Sequence, residues 1–71
     1  MTAHTLPRTH VSSKFHHAAA AAYELAADQH RKAAQHRDRG EHPEADRVSA
    51  SARMHALTAE EQARAAQQVT D

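Results

Sequence analysis

Gly40 and Pro43 stand three residues apart, and beyond Arg8 the chain contains no other glycine or proline. These two residue types interrupt helices more strongly than any others. The chain therefore divides into two long unbroken halves that meet at one short turn. Both halves are rich in alanine, the residue of highest helix propensity. Two helices joined by so few residues must run antiparallel, so the spacing predicts an all-α fold, an antiparallel helical hairpin.

Local signals set the expected boundaries. Residues 1–11 carry Pro7 and two histidines without usable periodicity, and are expected to form a flexible N-terminal arm. The hairpin then occupies 12–71, with a first helix over about 13–39, a turn at 40–42 and a second helix over about 43–68. Ser12 or Ser13 can cap the first helix, because a serine hydroxyl accepts from the unpaired first-turn amides. Gly40 tolerates the left-handed conformation that ends many helices, and Pro43 suits the first position of the next. Arg31, Lys32, Arg37 and Arg39 crowd the negative end of the first helix dipole; Glu41, Glu44 and Asp46 meet the positive end of the second. Residues 1–40 hold six Lys/Arg and three Asp/Glu, and residues 41–71 hold three and six. The halves thus carry +3 and −3, opposite signs that favour their pairing.

The two helices share one rhythm. Steps of four and three give Phe15, Ala19, Ala22, Ala26, Gln29, Ala33 and His36 in the first, and Ala45, Ser49, Ala52, Ala56, Ala59, Ala63 and Ala66 in the second. A 4-3 repeat of small or apolar residues marks two helices packed along a common seam, and methyl-sized side chains let the backbones come close. Such a seam stabilises only weakly, since a buried methyl contributes about 0.8 kcal/mol. The 71 residues include eighteen alanines but only three leucines, three valines, one phenylalanine and no isoleucine. With so small a core, self-association or a partner is expected. At about 100° per residue, Ala50, Met54 and Leu57 fall on the side of the second helix away from its seam, and Leu25 lies beside the alanines of the first. These four are the candidate interface. The expected assembly is a homodimer forming a four-helix bundle, or a pairing with another helical protein.

Composition excludes several function classes. No cysteine is present, so disulfides, thiolate metal sites and thiol catalysis are out. The formal net charge is zero and stacking aromatics are missing, which argues against nucleic acid as a partner. No stretch reaches membrane-spanning length and the N-terminus lacks a secretory apolar core, so the expected setting is cytoplasmic, without a membrane partner. Two thin helices offer no water-excluding pocket for catalysis, so the expected function is non-enzymatic, with no catalytic residues and no required cofactor.

Eight histidines form the one chemical enrichment, and imidazole is both a metal ligand and a pH switch. No two histidines stand three or four residues apart, the spacing that aims two ligands from one helix at one ion. A site would have to be built between helices or chains. His16 and His30 share a face with Tyr23, His17 adjoins it near the helix start, and pairing about the turn sets His55 near Asp28. His16, His17, His30, His55 and Asp28 are therefore the candidate ligands for Zn²⁺, Cu²⁺ or Ni²⁺ in an alternative, metal-binding function. Protonating several imidazoles adds like charge, which would also make any assembly responsive to acid.

The stretch KFHHAAAAAYELAADQHRKAAQHRDRGEHPEA, followed by MHALTAEEQARA, resembles small bacterial His/Ala-rich helical-hairpin proteins over about residues 14–66. The matching positions are His16, His17, His30, His36, Gly40, His42, Ala45 and His55. The resemblance implies a helical hairpin and brings no established activity with it. The chain departs from the group in its second helix, where His55 is the only histidine. The span from Gly40 to Ala45 also resembles the turn of a tetratricopeptide hairpin, here in a single copy without a repeat array.

Overall fold

The computed structural model describes residues 6–69, with side chains over 11–69. It consists of two helices, α1 (Leu6–Asp38) and α2 (His42–Gln68), packed lengthwise against each other as an antiparallel hairpin. The described chain contains no strand.

The first helix begins at Leu6, earlier than the Ser12–Ser13 start expected from capping. Pro7 explains the difference. In a first turn its missing N–H has no partner to lose and its fixed φ suits the helix, so it opens α1 rather than delaying it. The expected arm is accordingly helical from residue 6, and residues 1–5 lie outside the described residues. Ser12 and Ser13 sit within the helix.

The turn is built by the last residues of α1. Gly40 adopts φ +79°, the left-handed region that costs a side-chain-bearing residue strain. Its N–H donates to the Arg37 carbonyl at 2.9 Å, and the Glu41 N–H donates to the His36 carbonyl at 2.8 Å. This pair of bonds is the Schellman closure, which satisfies carbonyls the helix would otherwise leave open. Glu41 then begins the next element: its carbonyl accepts from the Ala45 N–H at 3.0 Å. Pro43 follows in the first turn of α2. One residue, Glu41, therefore both seals α1 and starts α2, which leaves the turn no slack.

Arg37 Nη2 reaches across the hairpin to Asp46 Oδ1 at 2.9 Å, and Arg39 Nη1 lies 3.8 Å from Glu41 Oε1. Arg39 and Glu41 both lie in the turn, whereas Arg37 and Asp46 belong to α1 and α2 and flank their seam as in an antiparallel coiled coil. Continuing their register sets Ala33 opposite Ala45, Ala26 opposite Ala52 and Ala19 opposite Ala59, and all six are buried. Ala22 and Ala66 complete the buried set, so the core of the described residues is alanine alone, with no buried polar or charged side chain. Phe15, Gln29, His36, Ser49, Ala56 and Ala63, the remaining 4-3 positions, are half-buried. Ala45, Ala52 and Ala59 have no exposed surface at all. Only close approach of the two backbones can cover a methyl so completely.

Candidate interaction face

The seam occupies one side of α2, and about 180° away lies a second 4-3 series: Arg47, Ala50, Met54, Leu57, Glu61 and Arg64. All six are exposed. Met54 keeps 67% of its surface open and Leu57 57%, the two most exposed of the large apolar side chains. Ala50 extends their stripe one turn toward the start of α2. Leu25, 49% exposed, stands apart from them on a flank of α1. It shares that flank with Val11, and the register places it across from half-buried His55 and Val48 of α2.

The outer stripe is bordered by charge. Arg53 and Glu60, spaced by seven on one margin of the stripe, are exposed and form no ion pair among the described residues. The opposite margin carries Ser51 and Thr58, which are uncharged. Glu44 is engaged with Arg47 within α2.

The candidate metal ligands are spread rather than gathered. Among the described residues, no group of three or more histidine and carboxylate side chains could hold one ion. The register sets His55 against Leu25, not Asp28. Asp28 accepts from Arg31 Nη2 of its own helix at 2.9 Å. His16, His17 and His30 are exposed on α1, and across the groove from His30 the register places the cationic Arg53. Within one chain the five candidate ligands are therefore not gathered at one point among the described residues.

One polar contact that spacing alone did not reveal is His36 with Glu41. His36 Nδ1 donates to Glu41 Oε1 at 2.7 Å. These two residues are already tied by the backbone bond of the turn, at the positions where a Schellman closure usually carries a hydrophobic contact. The histidine hydrogen bond, with the neighbouring charges of His36 and Arg39, holds the Glu41 carboxyl below its ordinary value against a smaller opposing effect of desolvation. A sequence signal existed in the Gly40 punctuation, since a left-handed glycine brings the residue after it back over the residue four before that glycine.

No cavity exists among the described residues, and no described helix is long and apolar enough to cross a membrane. Compared with protein-family models, curated proteins and solved structures, the chain matches none.

Proposed function

We propose that this chain is a non-enzymatic, cytoplasmic helical-hairpin module that works by self-association through the outer face of α2. One observation carries the reading: the two large apolar side chains of α2 point away from α1 while the hairpin buries only alanine. Covering a methionine or leucine side chain contributes about 1.5–3 kcal/mol, more than any contact the alanine seam makes. A second helical surface laid on this face supplies what the seam lacks.

Sedimentation equilibrium tests this. At tens of micromolar the chain should sediment as a dimer with helical circular dichroism, and a fully helical monomer would overturn the proposal. Met54→Asp combined with Leu57→Asp should yield the monomer while leaving helicity in place, because neither side chain belongs to the seam.

A further inference from the structure

The outer face of α2 also specifies how the copies meet. Resting on the self-association proposed above, we infer that two copies pair antiparallel through α2, with Met54 against the partner's Leu57 and Arg53 against the partner's Glu60.

Charge and register together select this pairing. In an antiparallel pair, a 4-3 stripe can slide only in steps of seven without losing its facing layers. Setting Met54 against the partner's Leu57 stacks four large apolar side chains at the two-fold axis. The same register brings Arg53 opposite the partner's Glu60, twice by symmetry. Sliding one heptad toward the start of α2 puts Arg53 against its own copy and Asp46 against Glu60. Sliding one heptad the other way opposes Glu60 to Glu60. Both slides face like charges across the margin, which costs rather than stabilises. A parallel pair fares no better, since it aligns Arg47 with Arg47 and Glu61 with Glu61 along the stripe and finds no partner for Arg53. The antiparallel register also sets Arg47 against the partner's Arg64, but at the exposed outer ends of the stripe, where solvent and salt screen the contact. Among these arrangements it alone joins the apolar centre to complementary charges beside it.

The seam with α1 and this stripe lie on opposite faces of α2. The dimer is therefore a row of four helices, with the two α2 helices in the middle and an α1 on each outside edge. Leu25 stays clear of the contact.

Two single substitutions and their mixture decide the matter, read by sedimentation equilibrium on the full chain with circular dichroism as a check on folding. Arg53→Glu sets glutamate against glutamate, and Glu60→Arg sets arginine against arginine, so each alone should weaken the dimer about tenfold or more. Mixing the two variants in equal amounts restores opposite charges at both contacts of the margin. In one contact the introduced glutamate of the first variant meets the introduced arginine of the second; in the other, native Glu60 meets native Arg53. Dimers should then return to wild-type strength. If the single variants dimerise as well as wild type, or their mixture stays monomeric, this pairing is wrong while self-association stands. If wild type itself is a monomer, the underlying proposal falls as well.

Discussion

The two ends of the hairpin are held by different physics. At the turn, the helices are joined by directional bonds: the paired backbone closures at Gly40 and Glu41, the His36–Glu41 hydrogen bond, and the Arg37–Asp46 ion pair. Toward the open end, Ala19 faces Ala59 and Ala66 lies buried near half-buried Phe15. There the described residues supply methyl groups and shape, with no ion pair across the helices. Directional bonds define a geometry, whereas methyl contacts reward only proximity. The turn thus sets register, and the seam maintains it over distance.

The sharpest way to break this contrast is to enlarge the seam in its open half. Ala59→Leu forces a branched side chain between backbones already in contact, and overpacking of this kind costs about 1–3 kcal/mol. Hydrogen exchange should show the amides of 59–68 losing protection while those of 45–52 keep it. Uniform loss along both helices would mean that the ends are not separable.

Gly40→Ala attacks the other end. No atom lies within 4 Å of where the added Cβ would sit, so the effect is purely that of backbone conformation at φ +79°. The left-handed strain, partly offset by the stiffer unfolded chain, should lower stability by about 1 kcal/mol. Chemical denaturation measures it, and a stabilised variant would show that the turn does not require a left-handed residue.

Smallest is the contribution of the exposed Glu41 carboxylate. Its value is lowered in the folded chain, so its contribution is fully present above the ordinary value of 4.5 and is lost as pH falls through the lowered value. Glu41→Gln should flatten that part of the stability profile and leave the profile above about pH 5 unchanged in form. Carbon-detected titration of Glu41 at or above the ordinary glutamate value would remove the basis for this expectation.

Much of the fold was legible because alanine spacing is itself geometric. The 4-3 steps include each of Ala19, Ala22, Ala26, Ala33, Ala45, Ala52, Ala59 and Ala66, all the buried side chains among the described residues. The start of α1 was less legible, because capping serines and a first-turn proline compete as signals and a proline at that position is permissive. Cross-hairpin pairing was harder still. Counting from the turn alone sets His55 beside Asp28. Pairing across a seam instead depends on which flank each residue occupies, and a shift of one position turns a side chain by about 100°. The outer stripe is visible in the spacing of Ala50, Met54 and Leu57, while its charged margin at Arg53 and Glu60 depends on which flank of α2 each residue occupies.

A core made of the second-smallest side chain inverts the usual sensitivity of a protein interior. In a leucine core, truncation does the damage. At Ala45, Ala52 and Ala59 only glycine is smaller, so nearly every natural replacement is an enlargement. Tolerance along this line is capped by volume rather than by greasiness, and serine should be accepted where valine is refused. Drift in such a chain is then confined to the outward surfaces, which are free to change while the rod itself stays the same.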